Sequence, residues 1–487
     1  MLFSSLTFLY AFLPATLFVY VLCRTRQQRN AVLLISSLIF YAWGEPEYLV
    51  LLIGMCVVDW YAGMRIDWAS SQRARKGWLA AAIIFDLGLL CFFKYGELFC
   101  SVFWEVPDFV RDVALPLGIS FYTFQLISYL VDVYRGDVAA QPDPLKILLY
   151  AGLFHQCIAG PIVRYKDVAR ELFVDRNAKA SLAEGVRRFA WGLGKKVMLA
   201  NACCELADNL LISDAAIADA TSLAGSIAQM STLPVAALWL GMLAFTLHIY
   251  LDFSAYSDMA IGLGLMVGLH YNENFDHPYI SCSVTEFWRR WHISLSTFFR
   301  DYVYISLGGS QDSVVRTIFN LFVVWTLTGL WHGASWTYAL WGIYYFLFLF
   351  LEKYLFDRVF HKVPGIVTWL PTFFIIVVGW TIFKFTDMEL LSTVLRGMFG
   401  LNGNAFTSFE TNVVFENNVY LLALSFAIST PIFVWAGKKL MTVTEGNPGL
   451  HAAWTFISYT VIPVLLLVLS TAMLVGNSYN PFIYFHF

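Results

Sequence analysis

An all-α, polytopic membrane protein is the fold class that this sequence predicts, with about 11–13 transmembrane or re-entrant helices in one domain spanning residues 1–487. Three observations predict it. Of 487 residues, 59% are apolar and only 13% are charged, where a soluble domain carries roughly 25% charged residues. The apolar residues gather in runs, many close to the ~20 residues that a helix needs to cross a bilayer. Most of the basic residues gather in short segments between those runs, as they do beside membrane helices. A water-soluble globule of this length and a disordered chain are both excluded. A net charge of -3 leaves no electrostatic footprint for a nucleic acid.

The elements follow in order. Residues 2–22 are apolar and are followed, not preceded, by Arg24, Arg26 and Arg29. That order is opposite to a cleaved signal peptide and suits a first span with its N-terminus outside. Spans are then expected over 31–43 with 47–64, 78–93, 114–131, 147–163, 187–212, 232–251, 254–270, 317–330, 333–351, 365–383, 417–436 and 453–475. Gly44-Glu45-Pro46 reads as a turn, and Gly160-Pro161 breaks the span that contains it. Arg65, Arg73, Arg75 and Lys76 mark one cytoplasmic loop, and residues 164–196 mark another. Residues 197–288 hold no Lys or Arg, so the loop near 213–231 is expected outside. Lys438 and Lys439 place the last loop inside and the C-terminus outside. The eight cysteines lie mostly in apolar runs without C-x-x-C spacing, which reads as packing and not as a disulfide scaffold or metal site.

Two segments carry candidate chemistry. Residues 317–351 contain no Asp, Glu, Lys or Arg, and His332 lies near their middle between Gly329 and Gly333. An ionisable group at that depth is expensive and points to function, although a histidine there can also serve only to bond a neighbouring helix. Trp331, Ser335 and Trp336 flank it. The second segment, residues 287–302, interleaves Trp288, Trp291 and His292 with Arg289, Arg290 and Arg300. Guanidinium groups beside indoles suit the ring and phosphates of an adenine nucleotide. They equally suit a helix lying in the headgroup region of the lipid. Asp59, Asp86, Asp132, Asp252 and Asp258 are acids within or beside spans. No H-E-x-x-H spacing, nucleophile elbow or Walker loop occurs, so no bound metal is expected.

At these segments the chain resembles the membrane-bound O-acyltransferase family, in its alginate O-acetyltransferase-like branch. The resemblance rests on FWRRWHISLSTFFRDYVYISLGG (287–309) and GLWHGASWTYALWG (329–342). It extends to residues 114–136, IAGPIVR (158–164), YLDFSAYSDMAIG (250–262) and the closing NPFIYFHF (480–487). The chain departs from the pattern at His155-Gln156, where a proline is expected nearby. The resemblance implies helices around a central tunnel, with Trp288, Trp291, Trp331 and Trp336 along the substrate path. It implies His332 and His292 as catalytic residues, and no bound cofactor. The implied donor is acetyl-CoA from the cytoplasm, its phosphates facing Arg289, Arg290 and Arg300. The implied reaction is O-acetylation of an exported polysaccharide such as alginate, through a periplasmic SGNH-type acetyltransferase or other polysaccharide-modifying protein. The setting is the bacterial inner membrane and its lipid. Transfer of D-alanyl or another short acyl group to an envelope polymer, a translocation channel without chemistry, and a scaffold for an export complex are the alternatives.

Overall fold

The computed structural model describes the chain apart from residues 104–106, 108–109, 111–113, 159, 214–221, 312, 357–362, 477–479 and 481–487. The closing motif therefore lies almost wholly outside the described residues, as does part of the expected outer loop near 213–231. Helices account for nearly all regular structure, and no β-strand occurs among the described residues. Among the described residues, six helices are long and apolar enough to cross a membrane: Leu49–Trp68, Gln72–Cys100, Val235–Val267, Val314–His332, Gly365–Lys384 and Pro448–Gly476. Phe409–Ile428 and Ile432–Thr444, bent by 61°, make a seventh span if taken together.

Several expected spans are instead shorter or more polar helices. Ile119–Arg135 and Pro144–Gly152 are largely buried in protein, with Gln125, Ser128 and Asp132 fully enclosed. A segment surrounded by protein need not be apolar throughout, and its backbone can break where neighbours satisfy it. The turn expected at residues 44–46 is present: the helix Arg26–Gly44 stops there, and the next begins at Leu49. Its start is equally legible, because Thr25 and Gln28 form a reciprocal capping box.

The chain divides into two compact units. The first comprises Met1–Leu193, Tyr256–Asn274 and Arg300–Tyr302. Its interior is tied by ion pairs. Arg164 bonds Asp167 and Asp301, each at 2.8 Å. Lys166 reaches Asp132 at 2.9 Å, and the Tyr302 hydroxyl donates to the same carboxylate at 3.0 Å. Residues 132, 164 and 300–302 come from three of the motif segments, and this network joins them.

The second unit comprises Gly194–Ala255, Phe275–Phe299 and Val303–Phe487. Its centre is a helical hairpin, Val314–His332 and Trp336–Leu351. The two helices approach backbone to backbone. A Cβ on Gly329 would lie 2.2 Å from the Tyr338 carbonyl oxygen, and one on Gly342 would lie 2.3 Å from that of Trp325. Only glycine allows that separation. Ser335 caps the second helix by accepting from Thr337 N, and its hydroxyl donates to the Thr386 carbonyl at 2.7 Å.

Candidate active site

The hairpin delivers His332 at the last residue of its first helix, 7% exposed. Aromatic rings enclose the imidazole on three sides. Its centroid lies 4.9 Å from Trp331, 5.1 Å from Trp341 and 5.0 Å from Phe383, each in an edge-to-face arrangement. Such packing excludes water from the ring.

His292 is built differently. The short helix Val284–Arg290 starts at Ser283, whose hydroxyl accepts from Glu286 N. Glu352 strengthens that start, accepting from Val284 N at 2.6 Å and from Thr285 N at 2.8 Å. The chain then leaves the helix at Trp291 and turns through His292 into a second short helix, Ile293–Phe298. His292 makes that turn with φ 44° and ψ 55°, in the left-handed region. A side chain there costs roughly 1–2 kcal/mol. Strain of this kind persists only where the surroundings impose it. Trp291 supplies the anchor, packed 4.7 Å from Trp380 and 5.1 Å from Phe275. The His292 ring meets Phe253 at 4.7 Å, and it is 1% exposed. Burial lowers its pKa to about 3, so the imidazole is neutral at physiological pH.

The two histidines meet across one indole. Trp331 lies 6.1 Å from His292 and 4.9 Å from His332, centroid to centroid. Motifs forty residues apart in sequence thus form a single aromatic enclosure with two imidazoles. Trp288 belongs to it as well, 5.4 Å from Trp341 and 4.8 Å from Tyr345.

The other singled-out residues are placed unequally. Trp336 is 65% exposed and shares no ring contact with the enclosure among the described residues. Arg290 is bound within the protein, to Glu286 at 3.0 Å and to the Asp276 carboxylate at 3.1 Å. Arg300 is exposed and pairs with Asp301 at 2.7 Å, in the first unit. Arg289 lies exposed on the helix that leads to His292. His155 is fully buried and shares a 2.6 Å hydrogen bond with the Tyr271 hydroxyl, in the first unit. Among the described residues, no three His, Cys, Asp or Glu side chains are grouped as metal ligands.

The structure also holds two buried ion pairs that the sequence pattern does not announce. Lys196 and Asp252 meet at 2.7 Å with both side chains fully buried. Lys384, also buried, lies 3.8 Å from Asp208 and 4.6 Å from the centre of the Phe245 ring. Each pair is one residue away from a ring that packs on a histidine: Asp252 precedes Phe253, and Lys384 follows Phe383. A Lys inside one apolar span and an Asp at the edge of another were the available signal.

Helices that cross a membrane, around buried imidazoles screened from water, define a class of integral membrane enzyme. The family model for MBOAT, the membrane-bound O-acyltransferase family, matches residues 137–392, a range that includes both histidines. A protein described as probable alginate O-acetylase from Pseudomonas aeruginosa is 41% identical over 408 residues, covering 82% of this chain and 75% of that protein. One of the same description from Azotobacter vinelandii is 35% identical, with both chains wholly covered. The peptidoglycan O-acetyltransferase of Helicobacter pylori is 32% identical, covering 83% of this chain and 80% of its own. The chain belongs to the membrane-bound O-acyltransferase family, and it is a multi-span membrane acyltransferase.

Proposed function

We propose that this protein takes an acetyl group from acetyl-CoA on the cytoplasmic side of the inner membrane and passes it outward for O-acetylation of an exported polysaccharide, with alginate as the first candidate. The observation that carries this reading is similarity along the entire chain to a protein described as an alginate O-acetylase. In this reading both termini are periplasmic. A periplasmic SGNH-type acetyltransferase receives the acetyl group and delivers it to the polymer.

The chemistry assigned to the site is proton transfer coupled to acyl transfer. A neutral imidazole, with an ordinary pKa near 6.5, suits removal of a hydroxyl proton. His332 is the base that takes the proton from the attacking hydroxyl, and it returns that proton to the departing thiolate. His292, kept neutral by its burial, orients the acceptor with one hydrogen bond. Arg289 is assigned to the donor's phosphates, since guanidinium pairs bidentately with phosphate.

The test is acetyl transfer by purified protein in vesicles of known orientation. Labelled acetyl-CoA supplied on the cytoplasmic side alone should acetylate an acceptor on the other side. Transfer only from donor on the outer side would overturn the route. Replacing Arg289 by Glu should raise the apparent KM for acetyl-CoA a few-fold and leave kcat nearly unchanged. An unchanged KM would remove Arg289 from the donor site.

A further inference from the structure

Three buried donors sit together beside His332. Trp341 and Tyr345 are fully enclosed, and Trp288 is 7% exposed. Among the described residues, the Trp288 and Trp341 indole N–H groups and the Tyr345 hydroxyl have no hydrogen-bond partner. The three rings touch one another: Trp288 to Trp341 at 5.4 Å, Trp288 to Tyr345 at 4.8 Å and Trp341 to Tyr345 at 5.2 Å. All three contacts are close to perpendicular, and Trp341 adjoins the His332 imidazole at 5.1 Å. Of their other ring neighbours, Trp325, Phe287, Trp380 and Phe383 bring no side-chain oxygen, and Tyr344, 5.2 Å from Tyr345, donates its hydroxyl to the Ile375 carbonyl at 2.8 Å.

Buried indole N–H and phenol O–H groups normally find an acceptor, because leaving one unpaired forfeits its hydration. One orphan donor is unremarkable. Three on mutually contacting rings, one of which adjoins a candidate base, make a region rich in unpaired hydrogen-bond donors. It complements an electron-rich oxygen. We propose that Trp341, Tyr345 and Trp288 bind the carbonyl oxygen of the acyl group and stabilise the negative charge that it gains during transfer. This deepens the acyl-transfer reading and rests on it.

The acceptor oxygen bonds to the acyl carbon while its proton passes to His332. The carbonyl π pair moves onto the oxygen, where the three donors meet it. The carbonyl then re-forms, the bond from the acyl carbon to the leaving group breaks, and the leaving group takes the proton from the imidazole. Fixed donors in a dry site are worth most where charge develops.

Tyr345→Phe removes one oxygen and leaves the ring. Loss of such a donor typically lowers kcat by about 10²–10³-fold, and we expect a loss approaching that range with the donor KM within about two-fold. The thermal midpoint of the substrate-free protein should hold or rise, because the variant deletes an unsatisfied buried hydroxyl. Trp341→Phe, which deletes an indole N–H, should also lower kcat with little change in KM. Activity of Tyr345→Phe equal to wild type would overturn the proposal. So would a loss of activity matched by a fall in thermal midpoint, since that marks a hydroxyl bonded within the fold or donating to a neighbouring ring. Wild-type protein that transfers no acetyl group would refute the function assigned above, whatever the variants do.

Discussion

His332 and His292 are held by opposite means. His332 ends a regular α-helix of 19 residues, in the ordinary helical course of a hairpin welded by Gly329 and Gly342. Its place is set by long regular elements and by two backbones in contact. His292 sits between two helices of seven and six residues, on a backbone that L-residues rarely adopt. Its place is set by rings packed around it and by the strain that those rings sustain. Both devices bring an imidazole to the same indole, Trp331. One position is therefore sensitive to anything that moves helices, and the other to anything that alters the local turn.

The comparison can be broken first at His332 itself. His332→Ala should lower acetyl transfer by about 10²–10⁴-fold, as loss of a positioned base does. The protein should remain folded, with a lower thermal midpoint, because removal of the enclosed ring leaves a cavity. Transfer at near-wild-type rate by a well-expressed variant would remove His332 from the chemistry.

Next in size is the hairpin. Gly342→Ala places a methyl 2.3 Å from the Trp325 carbonyl oxygen and must push the helices apart. Overpacking of this kind costs about 1–3 kcal/mol. The expected result is a clear fall in thermal midpoint, together with a loss of activity through displacement of His332. A normal midpoint would show that the helices are not in backbone contact.

The turn at His292 gives a sharper test through acid. Its folded pKa of about 3 lies below the ordinary 6.5 of an unfolded histidine. The unfolded chain therefore binds the proton first as pH falls. Stability is intact above pH 6.5 and drops by about 1.4 kcal/mol per pH unit on descending toward 3. Thermal midpoints measured from pH 7 to 5 should fall more steeply for the wild type than for His292→Asn. Parallel curves would show that the ring is not buried in its neutral form.

The smallest effect separates backbone from side chain. Asn tolerates the left-handed region and Ala does not. His292→Asn should be more stable than His292→Ala by about 1 kcal/mol, with acetyl transfer impaired in both variants. Equal thermal midpoints would mean that the turn relaxes freely, and that packing and not strain holds it.

How much of this was legible in the residues differs from one region to the next. The charge-free stretch 317–351 with a single central histidine marked the hairpin, because an ionisable group is conspicuous where nothing else is charged. The break at 44–46 was legible from glycine and proline, whereas the helix expected to run to Gly160-Pro161 already ends at Gly152. The number of spans was less so, since segments such as Ile119–Arg135 are enclosed by protein and carry polar residues that hydropathy penalises. The left-handed turn at His292 left no mark, because periodicity records residue types and not backbone angles. Of Arg289, Arg290 and Arg300, it is Arg290 whose partner was visible in the helical spacing, Glu286 four residues earlier. The exposure of Trp336 could not be told from the burial of Trp331, five residues before it, because both sit in the same apolar run.

Lys196 and Asp252, finally, bear on how the chain is made. Each is fully buried, and each answers the other's charge. A lone Lys or Asp at the centre of a helix costs about 2.5–3.5 kcal/mol to insert into a bilayer. The stretch bearing Lys196 leaves the ribosome well before the helix bearing Asp252. Neither buried charge is neutralised until both stretches are present, so the packing of this part of the second unit is expected to be completed only once the later helix has joined the earlier one.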